Sequence, residues 1–85
     1  MDQSLPITVP DLGTGDETVR LSAWFVEPGE SLAPGDSLFE ILISGVTCSV
    51  AAQSAGRLAR IDRALGSIVR PGDTVGWLES IGENI

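Results

Sequence analysis

Residues 31–41, SLAPGDSLFEI, have the same pattern as residues 68–78, IVRPGDTVGWL, and this repeat is the strongest evidence for the fold in the sequence. Both stretches contain Pro-Gly-Asp, and the two triplets are 37 residues apart. At the same offset the apolar positions match without a gap: Leu21 with Leu58, Leu32 with Val69, Leu38 with Val75 and Ile41 with Leu78. An internal duplication with only two copies predicts a closed unit with a pseudo-twofold axis rather than a solenoid.

Each copy consists of short apolar segments separated by turns. Residues 19–26, VRLSAWFV, are rich in β-branched and aromatic residues, which favour strands. The following Pro28-Gly29 suits the centre of a type II turn. No sustained helical period of apolar residues is present, and five prolines and ten glycines indicate many turns. The predicted class is all-β, with seven or eight short strands in a flattened β-barrel or two small antiparallel sheets.

A hairpin joins the two copies. The apolar segments FEILI (39–43) and VTCSV (46–50) flank Ser44-Gly45, and a two-residue loop that contains glycine between two strands is a strong hairpin signal. We therefore predict one domain over residues 6–82, with half-repeats at about 19–42 and 56–79. The hairpin tip at residues 44–45 is expected to project from the body.

The charge of the chain narrows the classes of partner. The 85 residues carry 12 acidic and 5 basic side chains, a net charge of −7, and every basic residue is an arginine. Residues 1–45 hold eight of the acids and one arginine, whereas residues 46–85 are neutral. Nucleic acid and anionic membranes are therefore disfavoured as partners. The acidic half suits a protein partner with a basic surface, or it only keeps a small domain in solution.

Three features lead us to expect a cytoplasmic protein. No apolar run approaches the roughly 18 residues that span a bilayer. The first ten residues lack the basic start and apolar stretch of a signal peptide. Cys48 is the single cysteine, so it has no internal disulfide partner, which agrees with a reducing compartment.

The residue types disfavour catalysis. The chain has no histidine, so a serine or cysteine nucleophile lacks its usual base, and a metal site lacks its commonest ligand. We expect Cys48 to be a buried structural residue, because a reactive thiol needs an exposed, electropositive setting. The sequence predicts no catalytic residue and no metal ligand.

With the duplication and the hairpin in view, the chain resembles the lipoyl/biotinyl carrier domains, and in particular the lipoyl domains of acyltransferase subunits in 2-oxo acid dehydrogenase complexes. The resemblance covers about residues 6–82 and implies their fold, a barrel-sandwich hybrid. It rests on residues 10–13 (PDLG), residues 24–30 (WFVEPGE), and the order of Gly35-Asp36, Gly56, Gly66, Val69, Gly72 and Val75.

The resemblance also identifies what is missing. In that family one lysine at the hairpin tip carries lipoate or biotin through an amide. Here Gly45 occupies the lysine position, Ser44 replaces an aspartate, and the chain contains no lysine at all. Arginine is no substitute, because its guanidinium stays protonated. We therefore expect neither lipoate nor biotin, and no other cofactor.

Five residues are candidates for binding a protein partner: Leu42, Ile43, Ser44, Gly45 and Trp77. Leu42 and Ile43 either form an apolar contact patch beside the tip or pack back on residues 11–18. Trp77 aligns with Glu40, an outward position, and is expected to be half-exposed.

The other tryptophan, Trp24, matches a family tryptophan and is expected in the packed body. Arg57, Arg60 and Arg63 indicate either a solvated strand edge or a contact to an acidic partner.

The function expected from these observations is an unmodified lipoyl-like interaction module in a 2-oxo acid dehydrogenase or carboxylase type system. One alternative is a degenerate carrier domain of a dihydrolipoyl acyltransferase subunit. A second alternative is an adaptor such as the lipoyl-like domains of membrane-fusion proteins, which no coiled coil or membrane segment in the sequence supports.

Overall fold

The computed structural model describes residues 3–13 and 15–80, and this part of the chain forms eight β-strands. Their bounds are β1 Gln3–Thr8, β2 Val19–Trp24, β3 Ser31–Leu32, β4 Ser37–Ile43, β5 Val46–Ala51, β6 Gly56–Ile61, β7 Ile68–Val69 and β8 Thr74–Ser80. Within these ranges, no helix has the length and apolar character required to cross a membrane. The predicted domain end at residue 82 lies outside the described residues.

The strands form two antiparallel four-stranded sheets. One sheet has the order β1-β8-β6-β3 and the other the order β5-β4-β2-β7. Exchanging β1 with β5, β8 with β4, β6 with β2 and β3 with β7 converts one sheet into the other. The predicted all-β class with pseudo-twofold symmetry is therefore confirmed, in the form of a flattened sandwich.

The two halves hold each other through equivalent hydrogen bonds. The Gly29 amide donates to the Leu58 carbonyl at 2.7 Å, and 37 positions later the Gly66 amide donates to the Leu21 carbonyl at 2.7 Å. Each turn is thus fastened to a strand of the opposite half. Because these backbone groups find their partners only across the pseudo-twofold axis, the two halves fold as one unit.

The repeated Pro-Gly-Asp has the same structural role in both copies. The carboxylate of Asp36 accepts a hydrogen bond from the Ala33 amide at 2.9 Å, and that of Asp73 accepts one from the Arg70 amide at 3.0 Å. The intervening Gly35 has a φ of 93°, in the left-handed region that favours glycine. The triplet is therefore a turn in which the aspartate closes the backbone of its own loop.

The core lies between the sheets and contains fourteen buried apolar residues: Ile7, Val9, Val19, Leu21, Val26, Leu32, Leu38, Phe39, Ile41, Ala52, Leu58, Val69, Val75 and Leu78. Most of them come from matching positions of the two copies. Buried polar or charged side chains are not found in the described ranges. Apolar burial is thus the main stabilising contribution.

The core departs from symmetry around Trp24, which packs in the body as expected. Its ring centroid lies 5.3 Å from that of Phe39. The position equivalent to Phe39 in the second copy is Gly76, where a β-carbon would lie 2.8 Å from the Arg60 carbonyl oxygen and 3.1 Å from the Trp24 ring. A large residue in one copy is therefore balanced by a glycine in the other, so that the tryptophan fits.

We predict that Leu58→Ala lowers the free energy of unfolding by about 2–5 kcal/mol, because the side chain is 0% exposed and its loss leaves a cavity. Leu65→Ala is the matched control, since Leu65 is 61% exposed, and it should change stability by less than about 0.5 kcal/mol. Urea denaturation of the two variants measures the difference. Equal losses would contradict the assigned core.

Candidate functional site at the hairpin tip

The central hairpin closes on two residues in the left-handed region. Ser44 has a φ of 48° and Gly45 a φ of 79°, which is the backbone of a type I′ turn. Its twist matches that of β4 and β5, whose register runs from Ile43 opposite Val46 to Ser37 opposite Ala51. Both turn residues are exposed, so the tip presents a hydroxyl group and bare backbone to solvent.

A long loop reaches the tip from one side. Ten residues (9–18) connect β1 to β2, whereas four (52–55) connect the equivalent strands β5 and β6. The longer loop brings Glu17 to the tip, where its carboxylate accepts a hydrogen bond from the Ser44 hydroxyl. It also forms, with Val69, Arg70 and Pro71, a cavity of about 310 Å³ that Asp16 and Glu17 line. This side of the tip therefore carries two carboxylates and the Arg70 guanidinium.

Leu42 and Ile43 do not form a common patch, because successive side chains of a strand point to opposite faces. Ile43 packs against the core. Leu42 is half-buried on the outer face, between Arg20 of β2 and Thr47 of β5. Both side chains are half-buried, and they differ in direction; a contact of either one with a partner stays a prediction.

The sequence reasoning missed Val46, the first residue after the turn. It is opposite Ile43 on the inner face, but it lies beyond the end of the core and is 61% exposed. The exposure of Val46 could have been predicted from the hairpin register, because the residue after a two-residue turn has the least packing around it of any residue in its strand. We call Glu17, Leu42, Ser44, Gly45 and Val46 the tip surface.

Trp77 lies in the other sheet, so it is not part of the tip surface. It is half-buried, as expected, in β8 between Pro6 of β1 and Arg60 of β6. Its indole N–H donates to the Asp62 carboxylate at 2.9 Å, and the Arg60 guanidinium carbon lies 5.5 Å from the ring centroid. These contacts hold the ring in place on the face of the sheet.

Arg57, Arg60 and Arg63 lie on β6 or just after it. Strand β6 lies between β8 and β3, but the two-residue β3 pairs only with Gly56 and Arg57, so the expected solvated edge is wrong for Arg57 and holds for Arg60 in the described part of the chain. Arg60 pairs with Asp62 at 2.9 Å, and Arg63 faces Asp73 at 3.8 Å. The charge of two of the three arginines is therefore balanced locally, which weakens the case for an acidic partner here.

The tip offers little reactive chemistry. Cys48 is half-buried, faces inward opposite Ile41 and packs against the core. In residues 3–13 and 15–80, no group of three or more histidine, cysteine, aspartate and glutamate side chains is placed to hold a metal ion. The tip surface carries a hydroxyl, a carboxylate and two aliphatic side chains, and it has no amine that could form an amide.

We predict that Gly45→Ala destabilises the hairpin by about 1 kcal/mol, because alanine resists a φ of 79° although the space around its β-carbon is open. Gly45→Asn should cost less, since asparagine tolerates the left-handed region. Thermal unfolding of the two variants ranks them. An alanine variant as stable as the wild type would contradict the type I′ turn.

Comparison with known proteins agrees with this architecture. The solution structure of the lipoyl domain of the 2-oxoglutarate dehydrogenase complex from Azotobacter vinelandii superposes with a TM-score of 0.74 and 24% sequence identity, over 92% of this chain and 99% of that one. This likeness shows the fold.

At the level of sequence, the dihydrolipoyllysine-residue succinyltransferase component of the 2-oxoglutarate dehydrogenase complex from Rickettsia typhi is 28% identical over 80 residues. The match covers 94% of this chain, which spans about one fifth (20%) of that relative. The family model described as "Biotin-requiring enzyme" matches residues 5–78. Since this match includes both sheets and the hairpin between them, the chain belongs to the biotin/lipoyl family.

Proposed function

We propose that this chain is an unmodified lipoyl-like interaction module, acting in the cytoplasm with a 2-oxo acid dehydrogenase or carboxylase type system. The observation that carries the proposal is the tip itself. The fold builds an exposed hairpin between its two halves, and the turn consists of Ser44 and Gly45 in a chain without lysine. An amide-linked cofactor has no side-chain amine to which it could be attached.

The tip surface supports binding to a protein. Leu42 and Val46 present aliphatic side chains on opposite faces of the hairpin next to the turn, and Glu17 adds a carboxylate that accepts a hydrogen bond from Ser44, so a partner would contact the tip from both faces. A partner with an apolar contact residue and a basic rim would complement this surface. The excess of acidic residues in the first half of the chain would favour approach of such a partner.

A second candidate is a degenerate carrier domain within an acyltransferase subunit. The similarity to part of a succinyltransferase component favours it, since the matched segment is one fifth of that protein. In this case the chain would keep the carrier fold while another domain performs the chemistry. The neighbouring genes would distinguish the two candidates, because a carrier domain by descent would lie in or beside an acyltransferase reading frame.

We predict that incubation with lipoate, ATP and a lipoate–protein ligase adds no mass to the wild-type chain. Gly45→Lys should gain one lipoyl group, because the side chain at that position points into open space at the exposed tip. Val46→Lys, one residue into the strand, is the control and should be modified less. Intact-mass spectrometry reads all three proteins.

A lipoylated wild type would refute the unmodified module. Modification of Val46→Lys in preference to Gly45→Lys would instead show that Gly45 does not occupy the carrier position.

We also predict that Leu42→Ser and Val46→Ser each reduce recovery of dehydrogenase or carboxylase subunits from native cytosol, because they remove the aliphatic groups of the tip surface. Phe25→Ser is the control, because Phe25 is exposed but lies away from the tip. Its backbone amide donates a hydrogen bond to the Leu38 carbonyl, at the far end of β4. Quantitative mass spectrometry of the bound proteins gives the comparison. Equal recovery by all variants would exclude the tip surface as the docking site.

A further inference from the structure

The sandwich has four edge strands, and they are protected unequally. Strands β3 and β7 have two residues each. Strand β1 has six residues but contains Pro6 at its middle. Strand β5, Val46–Ala51, also has six residues and contains neither a proline nor a charged side chain. Natural sheets usually shield such an edge by one of these devices, so among the strands described in residues 3–13 and 15–80, β5 is the one left open.

The hairpin register shows which backbone groups of β5 are free. Ile43 and Val46 flank a two-residue turn, so they form a hydrogen-bonded pair, as do Ile41 and Cys48 two residues further along. The amides of the intervening Thr47, Ser49 and Ala51 therefore point away from β4. Within residues 3–13 and 15–80, no strand pairs with that side of β5.

The pseudo-twofold axis supplies an internal comparison. Pro6 lies opposite Trp77 in β1, and Ser49 lies opposite Glu40 in β5, so that the two positions are equivalent. Proline removes the outward-pointing donor from the middle of one edge, while the other edge keeps it. The same scaffold thus contains one edge strand whose central donor is removed by proline and one edge strand that keeps this donor.

A groove with both apolar and polar walls runs beside the open edge. It has a volume of about 290 Å³, and its lining includes Leu5 and Ile7 of β1 and Val50 of β5, together with the polar Thr8, Gln53 and Ser54. A strand added to β5 would direct alternate side chains toward this groove. The volume suits one or two branched aliphatic side chains. Main-chain pairing would supply affinity and the groove would supply selectivity.

Acidic residues near both ends of β5 favour a basic occupant. Glu17 lies at the tip end of the strand, beside Ser44, and Asp36 lies at the other end, where its carbonyl accepts the Ala52 amide at 2.7 Å. A second copy of this chain is disfavoured, because antiparallel pairing of two β5 strands would bring Asp36 of each copy toward the Glu17 end of the other. A segment with basic residues at both ends fits instead.

We infer that β5 is a β-augmentation site for an extended segment of a partner protein, with an uncharged β-branched centre and lysine or arginine at each end. This site shares Val46 and the charge of Glu17 with the tip surface, but it uses the outward backbone of β5 and does not depend on the function proposed above. The inferred segment adds a fifth strand to the sheet through Thr47, Ser49 and Ala51.

The test uses the full chain and the acetylated, amidated probe peptide Lys-Val-Thr-Val-Thr-Val-Arg. Amide hydrogen exchange of the wild type should slow at Thr47, Ser49 and Ala51 when the peptide is added, while the already paired Val46 and Cys48 change little. A peptide with glutamate at both ends should protect these amides at least about tenfold less at equal concentration.

Ser49→Pro copies the arrangement of β1 and should weaken binding of the peptide about tenfold, because it removes the central donor. Ser49→Ala is the matched control and should bind like the wild type. If the Ser49→Pro variant does not fold, the hydrogen-exchange measurement on the wild type still tests the inference.

Three results would overturn the inference. They are absence of protection at millimolar peptide, equal binding by the proline and alanine variants, and equal binding of the two peptides. Protection of the same amides that rises with protein concentration, without peptide, would show a second copy at the edge and would equally refute it.

Discussion

The structure depends on the exchange of backbone hydrogen bonds between its two halves. The Gly29 turn is fastened to Leu58 in the second copy, and the Gly66 turn is fastened to Leu21 in the first. Each of these leucines is also fully buried, so the same residue closes a turn through its backbone and fills the core through its side chain. A small domain buries only a limited apolar surface. Because the hydrogen bonds couple the two halves, both halves bury this surface cooperatively.

The two sites proposed here lie where the two halves differ. The loop before β2 is six residues longer than its counterpart, the hairpin joins the copies at a single exposed turn, and one of the two equivalent edges lacks its proline. The symmetric positions hold the fold together, whereas the asymmetric ones form the tip surface and the open edge. A duplicated scaffold can vary these positions without disturbing the shared core.

The chemistry of the tip follows from its side chains rather than from its shape. The hairpin projects as in a carrier domain, and the space around Gly45 is open. A φ of 79° at this residue and a serine before it make a tight turn, which is suited to presenting the neighbouring Leu42 and Val46. The proposed role as an interaction module rests on the exposure of this turn and of the aliphatic side chains beside it.

The all-β class, the pseudo-twofold symmetry and the position of the hairpin could all be predicted from the sequence. Their signals are local: alternating strand patterns, Pro-Gly turns and a two-residue loop. Absence of lysine is likewise a property of the chain. Which apolar residues near the tip reach solvent depends on tertiary packing and could not be predicted in full from the sequence. Ile43 turns inward, whereas Val46 extends past the core, since exposure depends on where the opposite sheet ends.

The surroundings of the arginines and the identity of the edge strands likewise could not be predicted from the sequence. The position of β6 between β8 and β3, and the outward side of β5, follow from strand order, which is set by contacts between residues far apart in the chain. No local pattern encodes these neighbours, because pairing across the pseudo-twofold axis is fixed by packing of the whole domain.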